Sequence, residues 1–236
     1  MSIYVIGDLH LSFNEHKPMD IFGDNWVNHE EKIRTNWIKT VKEDDLVVLL
    51  GDFSWAMHLN DTYKDFEYLN SLTGKKVLIK GNHDYWWTTL KSMQEYIQKN
   101  SFNNIDFIIN NSYNYKNKVI VGTRGWAFTE TESSEKMINR ELLRLENSIK
   151  HAIDNYGKDK ELICVMHYPP INKAMFYNNE KSMFVELMKK YSIKKCFYGH
   201  LHGKSHSEAV EGNIDDVELK LVSCDYINFE PYLVEI

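Results

Sequence analysis

The chain is poor in cysteine, proline and excess positive charge, and it has no long apolar run. Three cysteines occur in 236 residues, at Cys164, Cys196 and Cys224, and none forms a C-x-x-C pair. An odd number of widely spaced thiols argues against a disulfide framework and against an all-thiolate zinc site. Four prolines occur, two of them adjacent at Pro169-Pro170, and no Gly/Ser linker, repeat or low-complexity stretch separates one part of the chain from another. A single domain over 1–236 is therefore expected. Nowhere do the ~18 consecutive apolar residues of a membrane span occur. The N-terminal apolar stretch at Ile3–Ile6 is too short for a signal-peptide core, so a cytoplasmic location is expected. Basic side chains number 28 against 34 acidic ones, a formal charge of −6. That balance argues against a dedicated nucleic-acid binder, while leaving room for a nuclease with a local basic groove.

What the chain has instead is histidine: ten residues, more than three times the thiols. It also has short apolar runs along its whole length. Ile3–Ile6, Leu46–Leu50, Val77–Ile79, Ile105–Ile109, Val119–Val121, Leu162–Met166, Cys196–Tyr198, Val217–Val222 and Tyr232–Ile236 are rich in Val and Ile and read as strands, several of them buried on both faces. Helical spacing appears in Glu30–Val41, Tyr85–Gln98, Ser134–Tyr156 and Ser182–Lys190, and Gly157 sits where the third would stop. Helices interleave with strands in the first half and strands crowd the C-terminal end. That pattern favours a mixed α/β sandwich over a purely parallel, doubly wound sheet.

The residues at the carboxyl ends of these runs carry the chemistry. Ile3–Ile6 leads into Gly7-Asp8-Leu9-His10, and Leu46–Leu50 into Gly51-Asp52. Val77–Ile79 leads through Lys80 into Gly81-Asn82-His83-Asp84. Leu162–Met166 ends in His167, and Cys196–Tyr198 in Gly199-His200-Leu201-His202. Ligands of α/β sheets collect at the carboxyl ends of strands, where glycine lets the backbone turn and approach closely. Each piece alone reads as well as a turn, a cap or a satisfied rim histidine. Their joint occurrence in this order, each after an apolar run, points to metal binding. Mixed carboxylate and imidazole donors suit Mn, Fe or Zn better than Ca or Mg alone.

The ordered blocks D-x-H, G-D, G-N-H-D, H and G-H-x-H resemble the calcineurin-like metallophosphoesterase superfamily at every ligand position between residues 8 and 202. The resemblance implies a four-layer α/β/β/α sandwich with a dinuclear metal site at the carboxyl ends of the strands. It implies that Asp8, His10 and His202 hold one ion and Asn82, His167 and His200 the other. Asp52 would bridge the two, and His83 would act on the substrate without binding metal. Two ions ~3.5–4 Å apart can activate a bridging water and clamp a phosphoryl group for in-line displacement. The implied enzyme hydrolyses a phosphate mono- or diester by attack of that hydroxide, with His83 assisting the leaving group or stabilising charge. Its implied partner is a small phosphate ester, with nucleic acid a lesser candidate and no membrane; the oligomeric state is left open.

The chain departs from the phosphoprotein phosphatase branch, whose second block reads G-D-x-x-D-R. Here it reads Gly51-Asp52-Phe53-Ser54-Trp55-Ala56-Met57, so Trp55 stands where that branch has the aspartate paired with the catalytic histidine. The block is closer to small bacterial predicted phosphohydrolases that share G-D-x-S-W-A-M, and what orients His83 is open. Asp84 either caps the following helix or orients a neighbour. Arg124 is a candidate for binding a phosphate oxygen, with a surface salt bridge as the alternative. Trp55, together with Trp86, Trp87 and Trp126, is a candidate for stacking on substrate, with core packing as the alternative. His58 and His206 are rim candidates, and Cys164 and Cys196 read as packed thiols. Lys136, Arg140, Arg144 and Lys150 lie opposite the apolar face of Ser134–Tyr156 and read as solvated, or else as a substrate-guiding or dimer surface. Two other readings stand beside hydrolysis: a binding module with a decayed site, which should have lost some ligands, and a partner-dependent nuclease, which should show a basic groove.

Overall fold

The computed structural model describes residues 1–15, 17–129 and 131–234. In chain order the elements are β1 (Ile3–Ile6), α1 (His29–Thr40), β2 (Leu46–Leu49), α2 (Tyr63–Ser71), β3 (Lys75–Leu78), α3 (Leu90–Lys99), β4 (Ile105–Phe107), β5 (Tyr113–Tyr115), β6 (Lys118–Thr123), α4 (Glu132–Tyr156), β7 (Glu161–Met166), α5 (Lys173–Tyr177), α6 (Met183–Lys190), β8 (Lys195–Tyr198), β9 (Gly212–Ile214), β10 (Val217–Leu221) and β11 (Tyr232–Val234). The expected mixed α/β architecture with two sheets is present. Glu235 and Ile236, the end of the last expected strand, lie outside the described residues. No helix among the described residues is long and apolar enough to cross a membrane.

The chain forms two compact units, Met1–Phe107 with Val222–Ile236, and Ile108–Leu221. Both crossings run almost directly from one strand to the next segment. No linker composition marks them, which is why the sequence shows no boundary.

Unit 1 holds a five-stranded sheet in the order β11-β1-β2-β3-β4, parallel except for β11 at its edge. Its register aligns Ile6, Leu49, Leu78 and Phe107 across the carboxyl ends. The loops after β1, β2 and β3 therefore leave the sheet side by side. Val5, Ile6, Val47, Val48, Val77 and Leu78 are fully buried, as expected for parallel strands covered on both faces. Helices α1, α2 and α3 bury Ile33 and Trp37, Phe66 and Leu69, and Met93 and Ile97. Phe66, fully buried against Phe53, Trp86 and Phe107, contributes about 1.5–3 kcal/mol by burial.

Helix α3 corrects the expectation of a helix over Tyr85–Gln98. Residues 85–89 form a turn and an extended approach, and the Thr89 hydroxyl caps the true start by accepting the Ser92 amide at 3.2 Å. Trp86 stands four residues before Leu90 and continues the spacing of Leu90, Met93 and Ile97, but it and Trp87 pack against Phe107 from a turn. Helix α2 has no counterpart among the expected helices, because charged residues interrupt its short apolar face.

Unit 2 holds a six-stranded sheet in the order β5-β6-β7-β8-β10-β9, with β6, β7, β8 and β10 mutually parallel. Thr123, Met166, Tyr198 and Leu221 align at its carboxyl edge. Helix α4 runs 25 residues, is capped by Thr131 and ends at Gly157, whose φ of 89° suits glycine. Its buried face is Ile138, Leu145, Ile149 and Ala152, but also Ser148 and Glu141.

Candidate metal centre

In unit 1 the loops after β1 and β2 run together. Asp8 donates its amide to the Gly51 carbonyl, His10 to that of Asp52 and Leu11 to that of Phe53, each at 2.9 Å. The other side of the β1 loop is held by Val222–Cys224: Gly7 donates to Val222 at 2.8 Å, and the Cys224 thiol donates to the Asp8 carbonyl at 2.9 Å. Asp8, His10 and Asp52 all have left-handed backbones, with φ of 65°, 48° and 50°. Such conformations cost of order 1–3 kcal/mol each in non-glycine residues and persist where the surroundings over-determine them.

The conformations turn three donors toward one another. The carboxylates of Asp8 and Asp52 are 0% and 2% exposed, and each presents an oxygen within 4.8 Å of the other. His10 presents a ring nitrogen within 4.8 Å of Asp8, and its Nε2 is 3.8 Å from Asp52 Oδ2. Two buried anions this close repel by at least ~3 kcal/mol at an effective dielectric of ~20. A cation removes that repulsion, so this donor set fits a divalent metal ion. Glycine is required where the β2 and β3 loops meet: a Cβ on Gly81 would lie 2.1 Å from Asp52 Oδ1, and one on Gly51 would lie 2.5 Å from the Gly81 nitrogen.

Asp84 ties those two loops together. Its buried carboxylate accepts Gly81 N at 2.7 Å and Asp52 N at 2.9 Å on Oδ2. On Oδ1 it accepts Phe53 N at 2.9 Å, Ser54 N at 3.3 Å and Trp86 Nε1 at 3.1 Å. Of the two roles open from sequence, the orienting one is observed, and Thr89 caps the helix instead. The next layer is Asp65 of α2, which accepts the Ser54 hydroxyl and the Phe13 amide, the latter at 3.0 Å. Burial pushes the Asp65 carboxyl up to about 6. Nothing in its spacing marks Asp65, since the apolar pattern of its helix is broken by charge.

Asn82 and His83 sit half-buried in the turn after β3, and His83 N donates to Asp52 Oδ1 at 2.7 Å. The Trp55 ring stacks on His10 at 4.9 Å and 22°, and lies 4.5 Å from the His83 ring. Its Nε1 donates to Met19 Sδ at 3.2 Å, and the Lys17 ammonium lies 3.2 Å from its centroid. The indole thus braces both imidazoles where another branch has an aspartate. Trp86 is core, and His58 is exposed.

Unit 2 carries the remaining histidines at its own carboxyl edge. His167 follows β7 and is fully buried, and Gly199 donates to its carbonyl at 3.1 Å. His200, at φ 74°, places its ring 5.1 Å from that of His167 and 4.1 Å from that of Tyr168. His202 begins a 3-10 turn by donating its amide to Ser205 Oγ at 2.9 Å, and it shares a ligand-atom separation within 4.8 Å with His206. Arg124 follows β6. Its Nη2 lies 3.7 Å from Glu141 and its guanidinium 4.6 Å over Trp126. The ion pair weighed as its alternative role is present, to a buried partner in α4 and not to a surface one. Cys164 and Cys196 are buried on neighbouring strands, as packed thiols.

The two sheets and the donors at their carboxyl edges define an α/β protein with side chains suited to holding metal. A family model for calcineurin-like phosphoesterases matches residues 1–204, and the chain belongs to that family. An uncharacterized protein of Methanocaldococcus jannaschii is 36% identical over 85 residues; the match covers 35% of this chain and 46% of the other, so the chain spans about half the length of that curated relative. A solved protein of unknown function from Aquifex aeolicus is similar over 98% of this chain and 95% of its own, with 20% identity and a TM-score of 0.52. A solved protein from Thermus thermophilus is similar over 99% and 97%, with 13% identity and a TM-score of 0.60. At these identities the two structures show a shared fold.

Proposed function

We propose that the chain hydrolyses a small phosphate ester, mono- or diester, with two metal ions held by Asp8, His10, Asp52, Asn82, His167, His200 and His202. The observation that carries this reading is the pair of buried carboxylates Asp8 and Asp52 facing each other beside His10 on left-handed backbone. Family membership and the motif blocks that carry Asn82, His167, His200 and His202 support the rest of the donor set. Mn, Fe or Zn is the proposed identity, because carboxylate, amide and imidazole donors are mixed. Two such ions, when bound, supply Lewis-acid polarisation of the ester and a water activated near neutral pH.

The protein's own groups do the remaining work. Asp52 would help hold the ions, and its Oδ1 accepts the His83 amide and so fixes the backbone of the turn that carries His83. His83, protonated, stabilises charge gathering on the phosphoryl group or gives its proton to the leaving oxygen. Trp55 keeps the His10 and His83 rings in place, which we assign to it ahead of stacking on substrate, because its ring is already packed against them.

The test is metal-stripped protein reloaded singly with Mn, Fe, Zn, Ni or Mg and given paired chromogenic mono- and diesters. Turnover restored by one or more ions, and lost by at least ~100-fold in His83→Ala, is expected from removal of a general acid. Asp52→Asn should lose turnover and bind less of both metals while keeping its circular dichroism. Near-normal hydrolysis by either variant, or no hydrolysis with any ion, refutes the proposal.

A further inference from the structure

Unit 2 places two guanidinium groups, Arg124 and Arg144, on one buried carboxylate, with Arg140 one helical turn before Arg144 on α4. Glu141 lies midway along α4 with its side chain fully buried. One of its oxygens accepts the Thr123 hydroxyl, and the other accepts Arg144 Nη1 at 2.6 Å and faces Arg124 Nη2 at 3.7 Å. Arg144 alone therefore neutralises Glu141. Arg124 is the second cation on the same oxygen, with a side chain 14% exposed and an Nε atom that is buried and has no hydrogen-bond partner. Arg140, exposed and next to Glu141 in sequence, adds its repulsion to that of Arg144 on the Arg124 guanidinium. Two positive groups on one negative leave a surplus of one charge at this carboxylate, and Arg140, exposed one turn before Arg144, adds a second beside it. Stability alone does not require this, since like charges at short range raise the energy of the folded state.

The cluster also has a place in the fold. Thr123 ends β6 in register with Met166 of β7, so Arg124 leaves the sheet beside His167. Tyr168 N donates to the Arg124 carbonyl at 2.8 Å. The Tyr168 ring spans from Trp126, at 5.9 Å, to His200, at 4.1 Å, and Trp126 supports the Arg124 guanidinium at 4.6 Å. A part-buried guanidinium resting on an indole is the arrangement that grips an oxyanion bidentately.

We propose that Arg124, Arg140 and Arg144 form a second anion subsite beside the histidine pair of unit 2, taking a phosphate of the substrate other than the one hydrolysed. The substrate class is then a phosphate ester that carries a second phosphate, as in a diphosphate. The substrate role rests on the phosphoesterase reading; the subsite itself does not. Glu141 acts as the positioning residue that sets the spacing of Arg124 and Arg144.

The probe is inorganic pyrophosphate, compared with inorganic phosphate by calorimetry on the full metal-loaded chain in excess magnesium, so that pyrophosphate enters as its magnesium complex. Wild-type protein should bind pyrophosphate about tenfold more tightly than phosphate, the return of roughly one charge-assisted contact. In Arg140→Gln/Arg144→Gln that ratio should fall to about one. Arg140→Gln alone changes an exposed residue, and it should reduce the ratio about threefold without moving the melting temperature, as for one cation fewer in the cluster. Equal affinities in wild type, or a ratio retained in both variants, overturns the subsite. Hydrolysis of para-nitrophenyl phosphate and of bis-para-nitrophenyl phosphate is measured in parallel. Absence of both refutes the esterase reading and leaves the subsite to the calorimetry, which needs no turnover.

Discussion

Replacing Asp84 by asparagine keeps the shape of the side chain and turns one acceptor oxygen into a donor. In the wild type five N–H groups point at this carboxylate: two at Oδ2, from Gly81 and Asp52, and three at Oδ1, from Phe53, Ser54 and Trp86. Asparagine satisfies at most one of the two sets. It should keep its oxygen on the set of three and turn its NH2 toward Gly81 N and Asp52 N. Both of those amides then lose their acceptor inside a fully buried site. Hydrogen bonds to a charged group are worth ~1.5–3 kcal/mol each, so two lost bonds destabilise by about 3–6 kcal/mol. That is a large part of the ~5–15 kcal/mol that holds a typical domain together. The loss is also local, since the two donors belong to the loops that carry Asp52 and Asn82. Urea unfolding monitored by tryptophan fluorescence measures the first effect, and metal content after dialysis the second. An Asp84→Asn protein within ~1 kcal/mol of wild type would refute the reasoning, because the staple would then not depend on two acceptor oxygens.

Asp65 and Lys76 make opposite pH predictions. The Asp65 carboxyl is raised from 3.8 to about 6, mainly by burial. The folded state therefore binds the extra proton between those values, and stability is full below ~4 and falls by about 3 kcal/mol as pH rises through 6. Asp65→Asn should flatten that segment of the stability curve, and an unchanged slope between pH 4 and 6 would count against it. Lys76, inside β3 with its ammonium donating to the Leu72 carbonyl, is lowered from 10.5 to about 7 by burial. Here the unfolded chain binds the proton, so stability rises with pH from ~7 toward 10.5. Lys76→Met should remove that rise and stabilise the protein at pH 7 by roughly 1–3 kcal/mol. A lower melting temperature at neutral pH would contradict it.

The family is legible in linear order, because each candidate ligand comes after an apolar run and strands of a sheet deliver their carboxyl ends to one edge. The register of each sheet explains why this works: Ile6, Leu49 and Leu78 stop level with one another, as do Met166 and Tyr198. Residues 85–89 mimic a helix because Trp86, four residues before Leu90, keeps the helical spacing whether a helix or a turn buries it. Asp84 carries two readings, since a carboxylate after a turn can cap a helix or bind distant amides, and only the approach of residues 52–54 selects the second.

Residue type and order are enough to name the family and the side chains suited to holding metal. Other features exist only in three dimensions: Trp55 braces His10 and His83, Asp84 and Asp65 hold the loops, and Arg124 shares Glu141 with Arg144. Those contacts join residues distant in the chain or separated by a helix turn. Their energies depend on burial and distance, which come into being once the chain has folded.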